Sequence, residues 1–196
     1  MNSSPVCERD GCRERLRASA RSVARFCSTR CRVAAHRARS KTALPSELRD
    51  AARWVTHDQD KSPRRTDGTR ASSTDPATWT TYTAVRQLPR RGFVLDGDGI
   101  VCIDLDHCLD AHGTLSPLAA ALLDRCPPTY VEVSPSGDGL HVWGHGDVPR
   151  GRRMRRAGGP VEVYGTGRYI TITGRPHQGA PAVLGDLSGV IRWLTT

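Results

Sequence analysis

With 196 residues, 37% of them apolar, the chain can bury one ordinary core and carry a small appendage beside it. No run of about eighteen apolar residues and no secretory signal pattern occurs, which argues against a membrane protein. A soluble, cytosolic chain is expected, with its 7 cysteines reduced or metal-bound. The net charge of +9 rests almost wholly on arginine, Lys41 and Lys61 being the only lysines, and such an excess is unusual for a metabolic enzyme. Arginine grips phosphate bidentately, so nucleic acid is the natural partner. A GC-rich coding bias would explain arginine over lysine, but not the surplus of positive charge.

Residues 1–41 read as a separate basic piece. Cys7, Cys12, Cys27 and Cys31 stand in the pattern C-x4-C-x14-C-x3-C, close to a four-cysteine zinc site, and Gly11 supplies the tight turn of the first pair. Ser28 is placed to cap a helix over residues 29–39 that carries Arg30, Arg32, Arg37 and Arg39. So small a segment has almost no apolar core, and Zn²⁺ is what would hold it folded. His36 is an alternative ligand, and a basic tail with incidental cysteines is the competing reading.

After a linker, residues 45–196 form the main domain. Pro45 to Leu48 predicts a helix start with Ser46 as N-cap, and Trp54 to Thr56 a short strand. Residues 57–74 are polar and turn-rich, an exposed loop around Lys61, Arg64 and Arg65. Asp75 and Pro76 predict a helix with Asp at N-cap and Pro at N1, carrying Trp79, Tyr82 and Val85 and ending before Pro89. Residues 92–95 and 100–106, flanking Asp96-Gly97-Asp98-Gly99, predict a β-hairpin. Ser116 and Pro117 open a helix over 118–126. Strands follow at 130–134 and 140–143, then a basic loop with Arg150, Arg152, Arg153, Arg155 and Arg156. Two more strands, 161–164 and 169–173, and a helix over 184–194 complete the chain. Strand and helix patterns mix without regular βαβ alternation, so the expected class is α+β with a largely antiparallel sheet. Cys102, Cys108 and Cys126 show no ligand spacing and read as core thiols.

The chemistry gathers at Ile100-Val101-Cys102-Ile103-Asp104-Leu105-Asp106. Alternation along a strand points Asp104 and Asp106 the same way, with Cα atoms roughly 6.5–7 Å apart. Two such carboxylates repel unless a cation lies between them, and oxygen ligands suit Mg²⁺ or Mn²⁺. The plain alternative is a pair of aspartates capping the next turn. Two further features accompany them: Ser134-Pro135-Ser136-Gly137-Asp138-Gly139-Leu140-His141, and Glu162 one strand before Arg168 and Tyr169. Alone, Glu162 reads as a solvated strand residue and His141 as a structural histidine.

In this order the three features resemble the hDhD, sxH and hD/E motifs of the archaeo-eukaryotic primase superfamily. The likeness is to the bifunctional primase–polymerase (prim-pol) domain of phages, plasmids and integrated elements. It covers roughly residues 54–174, including Lys61-Ser62-Pro63 and Arg168 to Gly174. The resemblance implies an RRM-like catalytic sheet beside a smaller α/β unit. It also implies a DNA primase/polymerase using two Mg²⁺ or Mn²⁺ ions, (d)NTPs and a single-stranded DNA template. Asp104, Asp106 and Glu162 are then the metal ligands. His141, Ser136, Gly139 and Arg168 meet the nucleotide, and Tyr169 packs under the sugar. Arg30, Arg32, Arg37, Arg39, Arg152 and Arg153 would hold template. No G-x-x-x-x-G-K-[ST] motif is present, so a helicase would be a separate partner. Two readings compete: an inactive zinc-containing single-strand-binding protein on the same scaffold, and a DxD glycosyltransferase, which has no use for the arginines.

Overall fold

The computed structural model describes residues 5–9, 11–16, 24–34, 44–156 and 159–196. The chain divides into two compact units, Met1–Ala43 and Leu44–Thr196.

In the small unit, Val6 bridges Arg15, and Leu16 N–H donates to Pro5 O at 2.8 Å, closing residues 5–16 into a loop. Gly11 turns that loop with φ +71°, a conformation most side chains resist. Helix α1, residues 29–34, starts where predicted, with Cys31 N–H donating to Ser28 Oγ at 3.2 Å. Its predicted continuation, with His36, Arg37 and Arg39, lies outside the described residues.

The large unit holds two sheets. The strands are β1 (Trp54–His57), β2 (Pro63–Arg64), β3 (Arg91–Asp96), β4 (Ile100–Leu105), β5 (Tyr130–Val133), β6 (Leu140–His145), β7 (Arg152–Arg156), β8 (Gly159–Tyr164), β9 (Thr166–Thr171) and β10 (Gly185–Asp186). One sheet runs β2-β1-β3-β9; the other runs β10-β6-β4-β8-β7, with β5 also on β6. All pairings are antiparallel except β10 with β6. The α+β expectation therefore holds at the level of class. The helices are α2 (Ser46–Asp50), α3 (Tyr82–Val85), α4 (Pro117–Leu123) and α5 (Ser188–Thr195). No helix among the described residues is long and apolar enough to cross a membrane.

The predicted hairpin of β3 and β4 does not exist. β3 pairs with β1 and β9, and β4 with β6 and β8, so the turn between them carries the chain from one sheet to the other. Arg53, buried beneath this turn, pairs with Asp96 and, at 2.7 Å, with Asp98. The chain crosses back at Gly165, the one residue between β8 and β9, whose carbonyl accepts from Gly97 N–H at 2.9 Å. A Cβ at Gly165 would lie 2.8 Å from Val148 O, so only glycine fits the crossing.

Other expectations shift for local reasons. The helix predicted from Asp75 is a single 3₁₀ turn, Pro76–Thr78, with Asp75 as its cap. It breaks because Thr80 exchanges both backbone hydrogen bonds with Trp54 before α3 begins. Ser46 is the first helical residue, not the cap, which is Pro45. The basic loop is an edge strand, β7, and the last helix starts at Ser188. Ser116 caps α4 as expected, accepting from Ala119 N–H at 3.3 Å.

Alternation along β4 divides the core. Val101, Ile103 and Leu105 face Leu118, Ala119 and Leu122 of α4 and Val190, Ile191 and Leu194 of α5. Ile100 and Cys102 face the other way, into a cluster with Trp54, Phe93, Leu95, Tyr130, Trp143 and Ile170 that fills the space between the sheets. Asp104 continues this second face. Leu122 is fully buried; Leu122→Ala should cost about 2–5 kcal/mol. Denaturation should show this as a lower midpoint at unchanged slope.

Candidate active site

Register places five ionisable side chains in one line. Glu132 of β5 lies opposite His141 of β6, His141 opposite Asp104 of β4, Asp104 opposite Glu162 of β8, and Glu162 opposite Arg153 of β7. Directly opposed residues share a face, so the line runs along the side of this sheet that looks toward the other one. Asp106 follows just beyond the end of β4 and is exposed. The three carboxylates and His141 open onto one cleft of about 560 Å³. Its opposite wall comes from the four-stranded sheet and its loops: Lys61, Ser73, Arg168 and Tyr169.

Asp104 has the surroundings that best suit a cation ligand. Its Oδ1 is buried and accepts no hydrogen bond; the nearest cationic group, His141 Nε2, stands at 3.7 Å. Burial raises its pKa, and Asp106 and Glu162 push the same way against the pull of His141 and Lys61. His141 is buried too. Desolvation pulls its pKa down, but the hydrogen bond to Glu132 and the surrounding carboxylates outweigh it and leave it raised. Glu162 is held by Arg153 Nε at 2.8 Å and by the Tyr164 hydroxyl. A divalent ion would answer both defects, the orphaned oxygen and the crowding, so the residues fit the metals that the motifs imply.

The turn before His141 is tightly built. Ser134 N–H donates to Gly139 O at 2.9 Å, and Gly137 adopts φ +92°. Ser136 Oγ donates to Asp138 at 2.5 Å and lies 2.9 Å from Ser134 Oγ. Asp138 also accepts from His107 Nδ1 at 2.6 Å. Ser134 and Ser136 line the cleft. Gly139 serves packing instead: a Cβ there would stand 2.7 Å from Leu105 O. On the other wall, the Arg168 guanidinium stacks 4.6 Å from the Tyr164 ring centroid. Tyr169 donates its hydroxyl to Lys61 O at 2.5 Å, and burial raises its pKa to about 12.

Two expectations about the arginines change. Arg152 and Arg153 were grouped as one template patch, yet they point to opposite faces of β7. Met154, which shares Arg152's face, packs into the helix-side core, and Arg156 on that face donates to Leu194 O at 3.0 Å. Arg153 faces the active-site side and spends its guanidinium on Glu162. The sequence reading also missed Glu132, Tyr164 and the Arg153–Glu162 pair. A charged residue within the buried alternation Tyr130-Val131-Glu132-Val133 was the one available signal for Glu132.

In the small unit the four cysteine sulfurs all lie within 4.8 Å of one another. Cys12–Cys27 and Cys12–Cys31 are 3.9 Å apart and Cys27–Cys31 3.5 Å. These distances exclude disulfides. They match the ~3.8 Å edge of a tetrahedron with 2.3 Å zinc–sulfur bonds. Cys27 N–H donates to Cys7 Sγ and lowers that thiol's pKa to about 7; Cys27, donating to Cys31, is pushed up to about 12.

A row of carboxylates thus faces the cleft, with a Ser/His turn on one wall and an Arg–Tyr strand on the other. Comparison with known proteins gives the family: the model of the bifunctional DNA primase/polymerase, N-terminal domain matches residues 31–193, and the chain belongs to that family. It is similar to a DNA primase-polymerase of Nitratiruptor phage NrS-1, at 37% identity over 142 residues. That alignment takes in 65% of this chain but 20% of the phage protein, so the chain corresponds to a small part of that relative's length.

Proposed function

We propose that this chain carries out template-directed nucleotidyl transfer, extending DNA on a single-stranded template from nucleoside triphosphates. The observation that carries the reading is the row His141–Asp104–Glu162 beside Asp106, with a buried, unpartnered Asp104 oxygen aimed into the cleft. Asp104, Asp106 and Glu162 would hold two Mg²⁺ or Mn²⁺ ions. Held there, they would supply Lewis-acid charge for activating a 3′-hydroxyl and for stabilising a pyrophosphate leaving group. The protein's own groups bind and orient the nucleotide. Ser134, Ser136 and His141 present hydrogen-bonding groups on one wall, and Arg168 presents a phosphate-pairing fork on the other. The Tyr169 ring, held by Lys61 O, walls the site where a sugar would lie. On this reading the six-stranded sheet is the RRM-like catalytic sheet. Residues 1–41 are then a structural zinc module and residues 45–196 the catalytic domain, and a separate helicase serves the replication of a phage, plasmid or integrated element. Incorporation of labelled dNTP on a primed single-stranded template, dependent on added Mg²⁺ or Mn²⁺, tests the proposal. Template binding without any incorporation would favour the inactive single-strand-binding reading.

Template affinity should come from arginines on the cleft-facing side. Arg155 is exposed and shares the face of Arg153. A phosphate contact on single strands contributes about −0.7 to the slope of log K against log[salt]. Arg155→Ala should flatten that slope by about 0.7, and Arg152→Ala, on the opposite face, should leave it unchanged. A salt titration of single-stranded DNA binding measures both. Equal effects would mean that the two faces of β7 are equivalent to the nucleic acid.

A further inference from the structure

Glu132 begins the line of functional side chains but belongs neither to the carboxylates of the cleft nor to its walls. It is fully buried. Its carboxylate accepts from Tyr130 OH at 3.1 Å, His141 Nδ1 at 3.2 Å, Thr173 N–H at 3.1 Å and Gly174 N–H at 2.8 Å. A carboxamide is a poorer replacement, because its NH₂ would be turned against the Thr173 and Gly174 N–H groups or against His141 Nδ1–H. A glutamate offers acceptors alone, so the hydrogen between it and His141 sits on Nδ1, and Nε2 is the nitrogen left on the Asp104 side. Thr173 and Gly174 lie two and three residues beyond the end of β9, the strand that carries Arg168 and Tyr169. Glu132 thus touches His141 of one wall and the segment that continues the strand of the other.

We propose that Glu132 is a positioning residue for nucleotidyl transfer: it fixes the ring plane and tautomer of His141 and locks that histidine to the segment leaving the Arg168–Tyr169 strand. The inference rests on the reading that His141 meets the incoming nucleotide. Buried carboxylates that orient a functional histidine typically change affinity or activity by about 10–100-fold when lost.

The experiment compares wild type, Glu132→Gln, His141→Ala and the double variant by steady-state dNTP incorporation. A second readout is the proton NMR signal of the hydrogen-bonded Nδ1–H of His141. Glu132→Gln should raise the dNTP KM about tenfold or more, with a smaller change in kcat, and the Nδ1–H signal should vanish. In the His141→Ala background the same substitution should add nothing. A folded Glu132→Gln protein with wild-type KM and an intact Nδ1–H signal would overturn the proposal. So would penalties that simply multiply in the double variant, since a merely structural role acts with or without the histidine. Where Glu132→Gln does not fold, Tyr130→Phe removes one donor and leaves the carboxylate buried. It should raise KM in the wild-type background and not beside His141→Ala; equal effects in both would overturn the proposal. If wild type incorporates no nucleotide, the functional reading falls, and the positioning role is then decided by the NMR signal alone.

Discussion

Asp104→Ala and Asp106→Ala should each abolish metal-dependent nucleotide incorporation, with a loss of at least about 10³-fold, because several kcal/mol of charge stabilisation leave with the ions. The fold should survive. Asp104 lies on the sheet face between the core cluster and the cleft, and its Oδ1 makes no hydrogen bond. Without metal, Asp104→Ala should even stabilise the protein at neutral pH. The sign follows from the raised pKa: an acid whose pKa is higher folded than unfolded binds more protons in the folded state. Its ionisation therefore opposes folding above that pKa, and the penalty fades as pH falls toward the ordinary aspartate value of about 3.9. The gain in melting temperature should be largest above neutrality and shrink on acidification. Added Mn²⁺ should reverse the order and stabilise wild type over the variant. Full activity in either variant, or equal Mn²⁺ stabilisation of variant and wild type, would remove these aspartates from the metal site.

The second large effect lies in the small unit. About one equivalent of Zn²⁺ per chain should be found by elemental analysis, and Cys27→Ser should lose it. Among the described residues the apolar cluster there is Cys7, Leu16 and Cys31, with Cys12, Ala24, Phe26 and Cys27 packed against it. Structural zinc contributes about 10–16 kcal/mol of apparent binding energy in modules of this kind. Order in this unit should therefore depend more on the ion than on burial. The four thiols should resist alkylation until a chelator is added and then react together. Extension of a pre-formed primer should largely persist, because the carboxylates belong to the other unit. A protein without zinc, with Cys7, Cys12, Cys27 and Cys31 all freely alkylated, would contradict the assignment.

Much of the candidate site was legible because its signals are local. Two aspartates separated by one apolar residue at a strand end share a direction through pleat geometry alone. The Ser-Pro-Ser-Gly-Asp-Gly run announces a turn by its own chemistry, and the cysteine spacing announces a cluster. Helix α4 was visible from Ser116, Pro117 and the apolar run behind them, because capping depends on neighbours in sequence.

Only the tertiary structure decided which strand lies beside which. A strand's hydrogen-bond partners are non-local, so β3 and β4 looked like a hairpin when each belongs to a different sheet. Register across β5, β6, β4, β8 and β7 then set Glu132, His141, Asp104, Glu162 and Arg153 in line, though Asp104 and Glu162 lie 58 residues apart in sequence. It likewise sent Arg152 and Arg153, adjacent in sequence, to opposite faces of one strand. By itself, the sequence determined the chemical groups and their local turns. The pairing of distant backbone decided which of those groups meet, because burial and hydrogen bonding select one register among many that the local pattern allows.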